Sequence, residues 1–342
     1  LIRAFHPSSG FISAFRAISV MSASTKTPSA SGIPADQAPD LAAARAQIDR
    51  IDDEIHDLLM RRADVVGQVA AAKGPALLAA SPIRIEREAQ MLRRLVERHT
   101  GPLSFVAVAD LWHELIAAMT AIQAPFAAAI AGGDGAIQRL DLARQQFGSS
   151  IPVIVSEDAR NAVRQVADGT AGVAVLPPPE NGAKGGRVGD APWWTLLTPG
   201  EDAPRIVAAL PFVVEAEAGV PVRRRYLAGD GPRAVAVAKA PRNPSGDDVT
   251  LVVATSNGFV SPDTCAEIFE KAGLSAWRLA FADDPHAGPE TDKGAGAPQL
   301  HLIAIDGHIE GHDERLTLMG KRHGGPFGDV YPIGGYPVPI GL

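Results

Sequence analysis

Between Leu41 and Phe126 a helical repeat of apolar residues carries cationic side chains that the apolar pattern does not require. Arg62 and Lys73 are eleven residues apart, about three helical turns, so they leave nearly the same face of a helix at a separation of roughly 16 Å. Two long cationic side chains so placed can converge on one small dianion. Arg45 lies 17 residues before Arg62, about 25 Å along a helix and rotated off that face, so it joins such a site only from a second copy of the chain. Arg87 and Glu88 are adjacent in the first turns of a second helical pattern, and Met119 and Gln123 share a face of a third at i, i+4.

The elements that must hold these residues are predicted from spacing. From Leu41 to Lys73 there is no proline and only Gly67, while Ile48, Ile51, Ile55, Leu58, Leu59, Val65, Val66 and Val69 recur every three or four residues. One helix of roughly 45 to 50 Å results, longer than a three-helix domain covers by itself, so it is expected to pack against a second copy. Gly74-Pro75 should break it; a second helix starts at Ile85 and a third runs from about Phe105 to Phe126. The competing reading is a solvated, ion-paired face, because the ten basic residues of this segment nearly balance its eleven acidic ones. Arg50, Arg61, Arg93, Arg94 and Arg98 are assigned to that surface.

Taken together, Arg45, Arg62, Lys73, Arg87, Glu88 and Gln123 resemble the all-helical (type II) class of chorismate mutase. Two positions depart from its pattern: Arg84 stands where some members have aspartate, and Met119 where a serine is frequent. The resemblance implies a three-helix domain in an intertwined dimer and a cofactor-free, metal-free rearrangement of chorismate to prephenate. It assigns the two substrate carboxylates to Arg62 and to the other subunit's Arg45, with Arg87 orienting the substrate. Lys73 and Gln123 would face the ether oxygen as negative charge grows there, and Glu88 would accept the ring hydroxyl. Arg84 and Met119 complete the substrate-binding set. A fragment ending near Ala131 is expected to fold as a helical dimer and keep the activity.

Beyond Phe126 short apolar strands alternate with helices, which predicts an α/β region. Strands are expected at Phe126 to Ile130, Ile151 to Val155 and Gly172 to Leu176, with the glycine loop Gly132-Gly133-Asp134-Gly135 after the first and a turn closing on Glu180-Asn181-Gly182. That order resembles a prephenate dehydratase domain, although the hallmark Thr-Arg-Phe is absent and the second half-domain is much shortened. A last piece, with a strand at Val249 to Thr255, a helix at Pro262 to Ala272 and a strand at Leu300 to Ile305, resembles the small amino-acid-sensing domain that follows such dehydratases, without its Glu-Ser-Arg-Pro and Gly-Ala-Leu motifs. Either the chain carries both activities, or the α/β region is a ligand-binding or partner-docking module.

The 342 residues, 46% hydrophobic with mean hydropathy near zero, suit a multidomain globular protein. The expected division is a disordered segment over 1–39, a mutase domain over 40–130, a degenerate dehydratase-like α/β domain over 131–240, a regulatory-like α+β domain over 248–318, and a tail over 319–342. A net charge of -7 argues against nucleic-acid or acidic-membrane partners. The run Leu115 to Ala131 reads as a bundle helix and not a membrane span. The single cysteine, Cys265, suits a reducing cytoplasm and a buried apolar position. His308 and His312 lie at i, i+4 with no acidic ligand set, so turn histidines are favoured over a metal site. Leu1 in place of methionine leaves Met21 as an alternative start, and Arg3 and Arg16 give the first twenty residues only a weak targeting character.

Overall fold

A computed structural model describes residues 40–79, 81–182, 191–214, 234–285, 298–320 and 327–342, and of 73–79 the backbone only. The expected segment 1–39 lies outside the described residues. The chain divides into two compact units at Leu58/Leu59. The first, from Asp40 onward, is the opening of α1 (Leu41–Ala79), and from Leu41 to Leu58 every side chain is exposed, the stripe of Ile48, Ile51, Ile55 and Leu58 included. The break expected at Gly74-Pro75 is not a helix end: Pro75 forfeits one rung of the ladder, and the alanine-rich turns around it carry the helix on to Ala79.

In the second unit α2 (Ile85–Arg98) buries Ile85, Ala89 and Leu92, spaced by four and three. Its first turn holds Glu86 and Glu88 and its last Arg98, charges that complement the helix dipole. The hydroxyl of Ser104 caps α3 (Phe105–Gln123) by accepting from Ala107 N at 3.3 Å. α3 is long and apolar enough to cross a membrane by length and composition. It packs against α2 and α4 (Ala136–Phe147), with Asp110 and Glu114 on its exposed face.

Three parallel strands follow the α/β expectation: β1 (Ala128–Ala131), β2 (Val153–Ser156) and β3 (Val173–Leu176), with α4 and α5 (Ala159–Ala167) as crossovers. β4 (Arg205–Leu210) and β6 (Ala234–Ala238) extend the sheet antiparallel, while β5 (Val213–Val214) stands apart. Then β7 (Asp248–Asn257), α6 (Pro262–Lys271), β8 (Ala276–Asp283), β9 (Pro298–Asp306), α7 (Glu314–Leu318) and β10 (Val330–Pro337) form a βαββαβ unit whose strands run antiparallel in the order β10-β7-β9-β8.

The expected boundary near 240–248 and the expected tail after Leu318 do not interrupt this sheet. β10 pairs with β7 on one side and with β4 on the other, giving nine strands in the order β2-β1-β3-β6-β4-β10-β7-β9-β8. The last strand of this unit is therefore β10, which falls in the segment expected as a tail. At the junction Gly334 (φ +139°) lies against Ile206, where a Cβ would fall on the backbone of that residue, so glycine is required. Behind β3, Trp193 and Trp194 fill the core, and the indole Nε1 of Trp194 donates to Glu180 O at 2.9 Å.

The helices do not bury their seam alone, contrary to the expectation for a fragment ending near Ala131. The cluster of Ala89, Leu92, Phe105 and Ala109 is completed by Phe212 and by Ile340, the latter in β11 (Ile340–Gly341), which pairs with β5. Arg93, expected at the surface, donates from Nη1 to Ser245 O and Oγ, both at 3.0 Å, and from Nη2 to Asp247 O and Val338 O, both at 2.9 Å. Because its removal strands several partly buried acceptors, Arg93→Ala is expected to lower the unfolding free energy by about 2–4 kcal/mol. Urea denaturation checks this against Arg98→Ala, an exposed arginine on the same helix, which should change it by well under 1 kcal/mol.

Candidate active site

α1, α2 and α3 enclose a cavity of about 500 Å³. Arg62, Val66 and Val69 of α1 form one wall, and Arg84, Arg87, Glu88, Gln90, Met91 and Arg94 at and along α2 form the second. Ile116, Met119, Thr120 and Gln123 of α3 form the third. Six of the residues singled out from the sequence, Arg62, Arg84, Arg87, Glu88, Met119 and Gln123, thus share one cavity. Arg45 belongs to the other compact unit and is exposed. Lys73 is on α1, and its side chain lies outside the described residues.

Sequence reasoning missed Arg94 and Thr120 in this wall. Arg94 follows Arg87 by seven residues, two turns along the same face, and Thr120 precedes Gln123 by one turn, so the helical spacing carried the signal. The adjacent Arg93 points away from the cavity into the sheet.

The cavity is cationic. Burial lowers the Arg62 guanidinium from its ordinary value, and its Nη1 is buried with no hydrogen-bond partner among the described residues. An unpaired buried donor is costly, and a bound acceptor would satisfy it. Arg84 turns back on its own loop, donating from Nη1 to Ser81 O (2.6 Å) and Ile83 O (2.8 Å). Gln123 Nε2 reaches Met119 O only at 3.5 Å, a contact a bound acceptor readily displaces.

Glu88 is the one acid in the wall. Burial pushes its carboxyl up to about 8; the hydrogen bond from Gln146 opposes the rise, and the nearby Glu86 carboxylate adds to it. The protonated form, which donates as well as accepts, is therefore favoured relative to an exposed glutamate.

The residues that carried the dehydratase resemblance are engaged elsewhere. Asn181 Oδ1 accepts from Phe281 N of β8 at 3.0 Å, and Gly182 N donates to Phe281 O at 2.8 Å. Around the glycine loop, the buried Arg139 donates to Ala131 O (3.0 and 2.8 Å) and Gly132 O (2.9 Å), so a guanidinium occupies that turn. His312 pairs with Glu310 at 2.9 Å on the surface, and His308 lines a separate crevice with Arg205, Arg242, Asp248 and Tyr336. Cys265 is buried.

Three helices thus surround an arginine-rich cavity. Residues 44–124 match the chorismate mutase type II family. Two relatives are described as bifunctional chorismate mutase/prephenate dehydratase. That of Stutzerimonas stutzeri is 31% identical over 152 residues, 44% of this chain and 41% of that protein. That of Pseudomonas aeruginosa is 30% identical over 148 residues, 42% of this chain and 40% of that protein. The chain thus aligns with about two fifths of the length of these curated relatives. A solved prephenate dehydratase from Streptococcus mutans superposes with a TM-score of 0.32 and 11% identity, over 64% of this chain and 100% of that one, too distant to establish a common fold.

The raised Glu88 value has a signed consequence. The folded state holds a proton that the unfolded chain loses near its ordinary value of 4.5, so stability falls as pH rises from there toward 8. The slope this one group contributes is at most about 1.4 kcal/mol per pH unit. Thermal melts of Glu88→Gln against the parent between pH 5 and 8 should show a flatter pH dependence in the variant; parallel curves would place the proton elsewhere.

Proposed function

We propose that this protein is a chorismate mutase of phenylalanine and tyrosine biosynthesis, rearranging chorismate to prephenate without a cofactor. The observation that carries the reading is the buried, unpartnered Arg62 Nη1 in a cavity that Arg84, Arg87 and Arg94 also line. The reaction breaks a C–O ether bond and forms a C–C bond within one molecule, so the protein needs only to fold the substrate and stabilise charge. Arg62 and a second copy's Arg45 bind the two carboxylates, whose geometry matches the guanidinium fork, Arg87 orients the substrate, and Arg84 and Arg94 add positive potential. Lys73 and Gln123 serve the ether oxygen, where charge develops in the transition state. Glu88 grips the ring hydroxyl and fixes the reactive conformer.

The exposed apolar stripe of α1 supports a homodimer in which a second copy covers Ile48, Ile51, Ile55 and Leu58 and brings its Arg45 to the site. The acidic charge and the single cysteine support a cytoplasmic enzyme without nucleic-acid or membrane partners. A dehydratase activity has the names of the relatives in its favour, but this chain lacks Thr-Arg-Phe, and Asn181 is bound to β8. The α/β region reads better as a non-catalytic module that binds an aromatic amino acid or docks another protein.

Purified protein is expected to consume chorismate and accumulate prephenate, with no phenylpyruvate above the acid-driven background. Lys73→Ala should lower kcat about 10²–10³-fold with a smaller change in KM. Full activity in that variant rules out its assigned role. Mixing inactive Arg45→Ala and Lys73→Ala subunits should restore about one working site per heterodimer, and verified heterodimers without recovery would count against the shared site.

A further inference from the structure

Outside the matched segment, one polar side chain reaches the wall of the mutase cavity. Gln146, on α4 of the α/β region, is 5% exposed and donates from Nε2 to Glu88 Oε2 at 2.8 Å. The Glu88 carboxyl makes no other hydrogen bond among the described residues, and no arginine of the cavity forms an ion pair with it there. We propose that Gln146 is a positioning residue for the mutase site, supplied by the α/β region, which fixes the Glu88 carboxyl so that Oε1 is the oxygen presented to substrate. The proposal rests on the mutase reading above.

The argument is one of hydrogen-bond direction. The carbonyl oxygen of a carboxylic acid is its stronger acceptor, so an amide N–H on Oε2 favours the form in which Oε2 is the carbonyl and the proton of Glu88 resides on Oε1. Without that bond the carboxyl of a neutral acid is free to rotate, and the proton occupies either oxygen. Gln146 is itself held in place. It lies on the buried face of α4 with Leu142, Ala143 and Phe147, and it lines a small crevice with His113, Gln145, Leu210 and Phe212.

The charged and titratable groups around Glu88 leave this amide as its one specific partner. On α2 they are Arg84, Arg87 and Glu86, and on α1 Arg62. On α3 they are His113, which burial pushes down to about 4 and so keeps neutral, and Asp110, which accepts from Gln145 Nε2 at 3.0 Å. The bond from Gln146 favours the ionised form of Glu88 against the dominant effect of burial, so its loss moves the titration of Glu88 upward.

Two full-length variants test this. Gln146→Met keeps length and removes the donor; Gln146→Glu keeps length and donates only when protonated. Gln146→Met is expected to lower kcat/KM about tenfold and to shift the pH-profile limb set by Glu88 upward by about one unit. Gln146→Glu should recover activity on the acid side and lose it on the alkaline side. Carboxyl ¹³C NMR of Glu88 in the parent and both variants reads the same shift without substrate. An unmoved Glu88 midpoint together with an unmoved pH profile overturns the proposal, even if the melting temperature falls. If the parent protein turns over no chorismate, the mutase reading fails on its own, and the NMR titration still decides whether Gln146 governs Glu88.

Discussion

A guanidinium that satisfies several backbone carbonyls at once fixes the position of the helix that carries it, and Arg93 does this for α2. Its acceptors lie 152 to 245 residues further along the chain, in the turn before β7 and the segment after β10. With Arg93 anchored, the next residue, Arg94, is carried about 100° around the helix and into the cavity wall, together with Arg87 and Met91. One helix therefore has two assignments: one side is bonded to the sheet, and another lines the site. The apolar cluster that includes Phe212 and Ile340 reinforces the same placement from the α3 side.

The electrostatics of the cavity follow from that placement. Gathering four arginines around about 500 Å³ opposes folding through desolvation and mutual repulsion, and a carboxylate among them would relieve the repulsion. Burial instead raises the Glu88 carboxyl above its ordinary value, which weakens its compensation of the arginines. Stability given up at the cavity is returned by the helix core and by the bonds of Arg93.

Much of the candidate site was legible in the sequence because helices convert spacing directly into direction. Arg62, Arg87, Glu88 and Gln123 fall on the cavity for that reason. The same rule placed Arg94 beside Arg87, but a helix packed on three sides has no single solvent face, and which arginine met the sheet depended on partners more than 150 residues away. Gln146 was hidden likewise, being 58 residues from Glu88. The first three strands read clearly from their apolar runs. β10 did not, because Pro332, Gly334, Gly335 and Pro337 interrupt its alternation, and a central strand tolerates them only through the irregularity between Pro332 and Gly334.

The position of β10 also bears on the order in which the molecule can be completed during synthesis. A strand from residues 330–337 lies between β4 and β7, in the middle of the sheet, and Ile340 closes the core of helices that were translated first. At ribosomal speeds of about 5–20 residues per second, α3 is finished on the order of 10–40 s before β10 emerges. Until β10 emerges, the apolar faces of α2 and α3, and the facing rungs of β4 and β7 as each is made, wait for a segment translated later.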